Sequence, residues 1–402
     1  MRIRGPRQRV CLPRGFRFSC GLAGIKASGR PDLALAEAPQ GAAAAAVFTR
    51  NRAAAAPVLV GRARLVLSRG RLRAVLVNSG NANAGNGPAG VRAAETCCAA
   101  LARQLGVAPG SVLPSSTGII GVPFPAQKVV AAVPGLAEGL RSGEPALRAF
   151  GRAIMTTDLR PKLASASFSR NGRRVCVAGV VKGAGMIQPD MATMLAYIFT
   201  DVAAAPSALR RLLKPAVDAS FNAISVDSDT STNDTVLLLA SGASGADLAG
   251  VQGPFSEALR GVCRSLAEQV VRDGEGARHL VRLQVRGAAS AAEASTAARS
   301  VANSPLVKTA WAGCDPNWGR ILAALGKAAF PFDPARASIA IGPHRVFAKG
   351  RALAFDRKAA HRLMQRPEYS IRVDLGRGRA ELEFLTCDLT HEYIRINAEY
   401  ST

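Results

Sequence analysis

The fold is restricted most by a hairpin signal near the middle of the chain. Two strand-like stretches, residues 163–169 and 173–181, flank the sequence Arg170-Asn171-Gly172, and an Asn-Gly pair between such stretches favours a tight antiparallel turn. Segments with a helical spacing of apolar residues lie on either side, at residues 144–155 and 255–272. Because hairpins are mixed with helices rather than alternating strictly with them, the sequence predicts an α+β fold built of layers.

Other runs give further expectations for local structure. Residues 58–67 and 72–78 are predicted to be strands on either side of a turn at Ser68-Arg69-Gly70. The stretch LPSSTGIIGVPFP, residues 113–125, is predicted to be a loop, and the helix after it is predicted to end at Pro134. No low-complexity linker divides the chain cleanly.

The composition limits the classes of function that the chain can serve. With 402 residues, 48% of them hydrophobic, it can bury a large core, yet it has no apolar run of about 18 residues, the length that spans a membrane. The net charge of +24 first suggests nucleic acid, but the arginines are scattered and the aromatic-flanked basic strands of an RNA-binding sheet are missing. A diffuse basic surface that attracts anionic small molecules is favoured, and a nucleic-acid-binding protein stays open as an alternative.

The spacing of cysteine and histidine argues against a metal site. None of the eight cysteines forms a C-x-x-C pair and none of the four histidines an H-x-x-x-H pair, so zinc is not expected. The acidic stretch VDSDTSTND, residues 226–234, lacks the glycine and final glutamate of an EF-hand loop, which favours either a polar loop on the side of an active site or a solvated turn. We expect reduced cysteines without a disulfide framework, as in a cytoplasmic protein. The basic start, MRIRGPRQRV, lacks the apolar segment of a secretory signal.

One stretch joins a flexible loop, a hydroxyl and a buried strand. It runs KGAGMIQPDMATMLAYIFTD from Lys182 to Asp201, and Thr193 stands where the loop gives way to the apolar strand. A threonine that begins a strand is usually structural, since β-branched residues suit strands. Here, however, its hydroxyl can attack the carbonyl of Ala192, and hydrolysis of the ester would free a new chain start at Thr193. The new α-amine, with a pKa of about 7.7–8.0 in model peptides, can then act as a base for the hydroxyl.

This stretch resembles the cleavage segment of the ornithine acetyltransferase family, the bifunctional glutamate N-acetyltransferases of arginine biosynthesis. Further blocks resemble the family in the same order, and together they cover almost the whole chain. These blocks are PRGFRFSCGLAGIKASGRPDLAL, NSGNANA, PSSTGIIG, MTTDLRPKLA, SVDSDTSTNDT, SPLVKTAWAGCDPNWGRI and YIRINAEYST. The joint pattern is specific, although no single block would suffice.

The resemblance implies roles for individual residues. Thr193 is implied to be the acyl acceptor and, with Ala192 before it, the cleavage site; the hydroxyl of Thr117 and the N–H of Gly118 are implied to form an oxyanion hole. The implied substrate contacts are Thr156, Lys182, Thr193, Glu275, Asn397 and Thr402. A lysine suits a substrate carboxylate and a glutamate suits a substrate ammonium. Taken alone, each of these residues is more often a turn residue or a solvated charge.

The resemblance also implies a reaction and an architecture. The chain is expected to move an acetyl group from N2-acetylornithine to glutamate through an acetyl-threonine, without a metal or organic cofactor; whether acetyl-CoA also serves as donor stays open. The implied fold is a four-layer αββα sandwich like that of N-terminal-nucleophile enzymes. Residues 1–192 form one chain after cleavage, residues 193–286 complete the sandwich, and residues 287–402 form a smaller α/β domain whose terminus closes the active site.

The resemblance implies partners as well. Two cleaved pairs are expected to form a heterotetramer in the cytoplasm, with small-molecule substrates and with neither a membrane nor a nucleic-acid partner. An amidase or aminopeptidase of the same fold, in which water replaces glutamate as the acceptor, is the nearest alternative. The sequence leaves the size of the oligomer open.

At several positions the sequence departs from the usual pattern of the family. Ala184 replaces a serine and Asp190 an asparagine in the cleavage segment, and Arg278 and His279 stand where DGEGA is usually followed by threonine and lysine. None of these changes removes an implied nucleophile, oxyanion donor or substrate contact. They therefore bear on rates and substrate range more than on the class of reaction.

Overall fold

The structure, a computed structural model, describes residues 10–188 and 194–399. The chain divides into two compact units. Unit 1 consists of Met1–Lys182, Met191–Ser220 and Ser231–Leu266, and unit 2 of Gly183–Asp190, Phe221–Thr230 and Ala267–Thr402. Each unit has its own sheet.

Strands and helices are spread through the described residues of both units. The strands are β1 (Arg17–Gly21), β2 (Leu33–Phe48), β3 (Arg71–Asn81), β4 (Val112–Ile119), β5 (Lys162–Arg170), β6 (Arg173–Lys182), β7 (Leu195–Thr200), β8 (Ile224–Ser225), β9 (Thr235–Ala240), β10 (Leu280–Ala288), β11 (Ser338–Ile341), β12 (His344–Ala348), β13 (Arg351–Ala352), β14 (Glu368–Asp374) and β15 (Ala380–Cys387). The helices are α1 (Ala56–Leu67), α2 (Gly87–Leu105), α3 (Ala126–Glu138), α4 (Glu144–Ala153), α5 (Pro206–Asp218), α6 (Leu248–Arg272), α7 (Ala291–Ala302), α8 (Pro305–Ala312), α9 (Trp318–Gly326), α10 (Arg357–Met364) and α11 (His391–Glu399).

Unit 1 is built on a mixed sheet. In the described residues its strands follow the order β4-β3-β2-β9-β7-β6-β5, and β1 pairs with β2 beside this path. The pairs β3–β4 and β7–β9 are parallel, whereas the other neighbours are antiparallel. In the pair β7–β9, Leu195 lies opposite Thr235. The residues that precede these two strands are therefore neighbours in space, although they are far apart in the chain.

Both faces of the unit 1 sheet are covered. On β2, Ala34 packs into a core that contains the rings of Phe150 and Phe199, which meet edge to face. Leu33 and Leu35 belong to a second core with apolar residues of α2 and α3. Because successive side chains of a strand point to opposite faces, this one strand contributes to both cores.

Unit 2 has a mixed sheet and a core of its own. Within the described residues the order is β13-β12-β11-β14-β10-β15-β8, with β10 parallel to β14 and antiparallel to β15. Helices α7, α8 and α9 add Val301, Trp311 and Leu325 to a core that includes Val281 and Phe384 of the sheet. Two mixed sheets covered by helices confirm the predicted α+β class.

The expected strand at residues 58–67 is wrong, because these residues belong to helix α1. Pro57 lies in the first turn of the helix, and Val58, Gly61 and Arg64 are buried at a spacing of three, along one helical face. A glycine and an arginine hide this periodicity in the sequence. Arg64 is buried because its guanidinium donates to the carbonyl oxygen of Val112 at 2.6 Å, as well as to that of Pro109.

Two expectations for residues 113–138 are also wrong. The predicted loop contains β4, in which Ser116 is buried because it has a polar partner: its hydroxyl donates to Asn78 Oδ1 at 2.5 Å. Helix α3 continues through Pro134 to Glu138. Proline removes one helical hydrogen bond, and the helix tolerates that loss here.

The hairpin signal is confirmed, and one expectation for the cysteines is wrong. Strands β5 and β6 pair antiparallel around Asn171 and Gly172, and both residues have the positive φ angles typical of such a turn. Cys11 and Cys176, expected to be reduced, form a disulfide.

Within residues 10–188 and 194–399, no helix combines the length and the apolar character needed to cross a bilayer.

A buried ion pair gives the first testable prediction. Lys162 Nζ lies 2.6 Å from Asp158 Oδ1, and the two side chains are 1% and 0% exposed. Lys162→Met is expected to lower the free energy of unfolding by about 3–5 kcal/mol, because it leaves a buried charge without its main partner. Unfolding in urea measures the change.

Lys214 supplies a matched control. It forms a 2.6 Å pair with Asp218, but the side chains are 65% and 46% exposed. Lys214→Met is expected to cost less than about 1 kcal/mol, as exposed pairs do. Equal losses in the two variants would show that burial does not set the strength of the Lys162 pair.

Candidate active site

Asp234, which directly precedes β9, lies next to Met194, the residue that follows the predicted nucleophile Thr193. Met194 donates its backbone N–H to Asp234 Oδ1 at 2.7 Å. Burial raises the pKa of the Asp234 carboxyl well above its usual range, against the opposing effects of the Met194 N–H and the Lys182 charge. Asp234 therefore holds a proton more readily than an exposed aspartate. Thr193 itself lies outside the described residues.

Thr117 and Lys182 meet inside unit 1. Lys182 ends β6 and Thr117 lies near the end of β4, and these two strands are not neighbours in the sheet. Lys182 Nζ donates to Thr117 Oγ1 at 2.9 Å, and both residues are buried. Because an ammonium can only donate, the Thr117 oxygen accepts here, and its own O–H can still donate elsewhere.

The backbone conformation at position 118 requires glycine. Its φ is +134°, which residues with a side chain rarely adopt. A Cβ at this position would also overlap the backbone of Gly80 and Asn81 on the neighbouring strand β3. Close packing therefore fixes the backbone that carries both predicted oxyanion donors.

Asn233 ties the same strand to a neighbouring loop. Its Nδ2 donates to the carbonyl oxygen of Ala82 at 2.6 Å and to that of Ser116 at 2.9 Å. Asn233 is buried, so both amide hydrogens are satisfied away from solvent. It thereby holds the residue just before Thr117 in place.

Thr156 lies in the turn after α4. Its backbone N–H donates to Asp158 Oδ2 at 3.0 Å, and Asp158 is itself bound to Lys162.

Lys26 is a second lysine of unit 1 whose charge interacts with that of Lys182. Burial, with repulsion from Arg30 and Lys182, lowers the pKa of Lys26 to about 8. The pKa of Lys26 is therefore closer to neutral pH than that of an exposed lysine, although the charges of Asp32 and Asp158 oppose the shift.

In unit 2, Glu275 and Asn397 face each other. Asn397 on α11 donates its Nδ2 to Glu275 Oε2 at 2.8 Å, and the backbone N–H of Glu275 donates to the carbonyl oxygen of Ala184 at 2.9 Å. Gly185 lies so close that a Cβ would overlap the Glu275 carboxylate. Since the backbone of Ala184 makes the contact, the replacement of serine by alanine leaves it intact.

Asp227 fixes a turn inside the predicted cleavage segment, at Met186 and Ile187. Its carboxylate accepts the backbone N–H of Met186 at 2.5 Å and of Ile187 at 2.7 Å, and Met186 has a positive φ of +55°. The hydroxyl of Tyr393 donates to the same carboxylate at 3.4 Å. Burial raises the pKa of Asp227, although the backbone hydrogen bonds oppose the shift.

Hydrogen bonds thus join the predicted site residues in two pairs. Thr117 binds Lys182 in unit 1, and Glu275 binds Asn397 in unit 2, while Thr156 is held by its own turn. The other predicted residues, Ala192, Thr193 and Thr402, lie outside the described residues, as does Asp190. No group of three or more His, Cys, Asp or Glu in residues 10–188 and 194–399 is arranged to hold a metal.

Comparison with known proteins decides the family. A model described as the ArgJ family matches residues 17–402. The chain belongs to the ArgJ family. It is 47% identical over 401 residues to the arginine biosynthesis bifunctional protein ArgJ of Methylococcus capsulatus, covering 98% of this chain and 97% of that protein. It is 46% identical over 396 residues to the protein of the same name from Thermus thermophilus, covering 98% and 100%. A crystal structure of ArgJ from Bacillus halodurans is 36% identical with a TM-score of 0.49, and covers 51% of this chain and 98% of that chain.

Three further candidate site residues were not predicted from the sequence. Asp227, Asn233 and Asp234 all lie in the block SVDSDTSTNDT, which resembles the family but for which the sequence predicted a polar stretch rather than individual site residues. Asn233 and Asp234 are buried and Asp227 is half-buried, and all three bind backbone groups of segments next to predicted site residues. The available signal was a polar run directly before the apolar strand β9, since buried polar side chains need partners.

Proposed function

We propose that this member of the ArgJ family is a self-processing acyltransferase of arginine biosynthesis with Thr193 as its nucleophile. It transfers the acetyl group of N2-acetylornithine to glutamate, which makes it a glutamate N-acetyltransferase, or ornithine acetyltransferase. The word "bifunctional" in the names of its relatives supports a second activity as amino-acid N-acetyltransferase with acetyl-CoA as donor. No metal or organic cofactor takes part in the transfer.

The contact between Lys182 and Thr117 carries this proposal. Acyl transfer needs donors aimed at the oxygen that becomes negative in the tetrahedral intermediate. The ammonium of Lys182 occupies one acceptor site of Thr117 Oγ1, so the Thr117 hydroxyl has its proton to donate. The N–H of Gly118 is the second donor, on a backbone that allows no side chain.

Cleavage between Ala192 and Thr193 prepares the nucleophile. The Thr193 hydroxyl attacks the Ala192 carbonyl, and water hydrolyses the ester to give residues 1–192 and 193–402. The released α-amine of Thr193 then serves as its base. The hydrogen bond from Met194 to Asp234 supports this step, because it fixes the residue next to the nucleophile.

Charged and polar groups suit an amino-acid substrate. Lys182 binds a substrate carboxylate and Glu275 a substrate ammonium, while Thr156, Asn397 and Thr402 complete the contacts. Asn397 donates to Glu275 and so orients the carboxylate. The two cleaved chains stay together and assemble as a heterotetramer in the cytoplasm, without a membrane or nucleic-acid partner.

A double-displacement experiment tests the transfer. With acetylornithine and no glutamate, the chain that begins at Thr193 is expected to gain one acetyl mass, and glutamate is expected to remove it. The chain 1–192 is the internal control and should keep its mass. Because one hydroxyl cannot serve donor and acceptor at once, double-reciprocal plots should be parallel. Intersecting lines with an unmodified Thr193 chain would point to direct transfer instead, and loss of acetyl to water alone would point to an amidase.

Asp234 gives a prediction for the cleavage step. Asp234→Ala removes the buried acceptor of the Met194 N–H, and the loss of such a hydrogen bond costs about 1.5–3 kcal/mol. If the bond holds the scissile segment in its reactive position, cleavage is expected to slow by about 10–10²-fold. Asp234→Asn keeps an acceptor oxygen and should cleave faster than the alanine variant. Denaturing gels after timed expression measure both, and equal rates in the two variants would contradict this role.

A further inference from the structure

Unit 2 contains a second cluster of reactive side chains, around Cys314. His279 Nδ1 lies 3.1 Å from Asp388 Oδ2, and His279 Nε2 lies 3.9 Å from Cys314 Sγ. Asp388 also accepts the backbone N–H of Arg278 at 2.9 Å and that of His279 at 3.0 Å, which holds the carboxylate in place. A thiol, an imidazole and a carboxylate in this order form a nucleophile, its base and the group that orients the base.

The protonation states follow from the partners. Burial would raise the pKa of Asp388, but the hydrogen bonds from His279 and from the backbone lower it. The Asp388 carboxylate therefore accepts a hydrogen bond from His279 Nδ1–H, and in the tautomer that this bond fixes, Nε2 is the acceptor nearest the thiol. Burial, with added repulsion from Asp388, raises the pKa of Cys314. The sulfur, which also lies 3.5 Å from the carbonyl oxygen of Met364, is therefore a thiol at rest and needs a base.

Cys314 has an unusual backbone conformation. It follows α8 with a φ of +53°, and its N–H donates to the carbonyl oxygen of Trp311 while the N–H of Asp315 donates to that of Ala310. This pattern ends many helices, and its left-handed position usually holds glycine, which has no Cβ. A cysteine there is conformationally strained, and such strain is concentrated at functional sites.

Tyr369 adds an unpaired donor to the cluster. Its ring lies 5.9 Å from that of His279, and its hydroxyl is buried without a hydrogen-bond partner among the described residues. The residue is 4% exposed. Burial, with added repulsion from Asp388 and Cys314, raises the pKa of Tyr369, so the hydroxyl keeps its proton. A buried donor of this kind is costly unless an oxygen atom accepts from it.

We propose that Cys314 is a modification site for hydrogen peroxide, which converts its thiol to a sulfenic acid. The sulfur attacks one peroxide oxygen, an S–O bond forms and the O–O bond breaks. The thiol proton passes to His279 Nε2 and then to the departing hydroxide, which leaves as water. The Tyr369 hydroxyl donates to the oxygen that stays on sulfur. Cys314 is 9% exposed, which favours a small oxidant over a bulky disulfide.

Oxidation of the full-length protein, followed by capture of sulfenic acid with dimedone and mass analysis of peptides, tests the site. Low concentrations of hydrogen peroxide are expected to modify Cys314 before Cys20, the partly exposed free cysteine among the described residues. His279→Gln removes the base and should slow the modification of Cys314 by about 10²-fold, the lower range for general-base catalysis. The modification of Cys20 in the same molecule should keep its rate.

Tyr369→Phe provides a milder variant. It removes only a hydroxyl that has no partner in the described residues, so the fold should persist, and the modification of Cys314 should slow while that of Cys20 does not. Oxidation of Cys314 no faster than that of Cys20, or rates at Cys314 that both variants leave unchanged, would overturn the proposal. The readout is a mass and does not depend on acetyl transfer.

Discussion

Replacement of Thr193 by alanine is expected to leave the protein as one chain and to abolish acetyl transfer. The alanine variant has no hydroxyl to attack the carbonyl of Ala192, so residues 1–192 and 193–402 stay joined. It also lacks the acyl acceptor, and the loss of a catalytic nucleophile costs about 10⁶ in kcat. Denaturing gels and an acetylornithine–glutamate assay measure the two effects.

Thr193→Ser is the matched control, because it keeps the hydroxyl and removes only a methyl group. It is expected to cleave and to transfer acetyl groups, at a rate lowered far less than in the alanine variant. The wild-type protein can contradict the proposed processing directly. If it remains a single intact chain and still transfers acetyl groups at full rate, the proposed processing is ruled out. Cleavage in the alanine variant would place the nucleophile elsewhere.

A helix or strand could be predicted from the sequence where apolar residues occupied its buried face or where a local turn signal was present. The hairpin around Asn171 and Gly172 was predictable, because its turn chemistry is local. Helix α1 was missed because a glycine and an arginine, Gly61 and Arg64, occupy its buried face. Strand β4 was missed because hydrogen bonds, rather than apolar surface, satisfy its buried Ser116. Such partners come from distant segments that local periodicity does not contain.

The same limit applies to the candidate site. The resemblance to a family indicated Thr117 and Lys182 separately, but their contact depends on how β4 and β6 are placed in the sheet. Asp234 was missed because its position beside Met194 follows from the parallel pairing of β7 with β9. A sequence motif can therefore identify reactive residues, whereas the order of the strands in the sheet determines which of these residues are in contact.

The contact between Thr117 and Lys182 leads to the second large prediction. Thr117→Ala is expected to lower kcat by about 10²–10³-fold, the usual effect of removing one oxyanion donor. The affinity for acetylornithine should change little, because a donor aimed at the developing oxyanion contributes mainly in the transition state. Steady-state kinetics together with direct binding of acetylornithine separate the two effects.

Thr117→Ser and Thr117→Val distinguish the hydroxyl from the shape of the side chain. Serine keeps the oxygen that accepts from Lys182 Nζ and the proton that is donated to the oxyanion, so it should retain most of the activity. Valine keeps the branched shape but leaves the buried Lys182 ammonium without this acceptor, so it should lose at least as much kcat as alanine. If alanine and valine variants instead show equal, small changes in kcat and affinity, Thr117 is a structural residue of β4 and the oxyanion is stabilised by other groups.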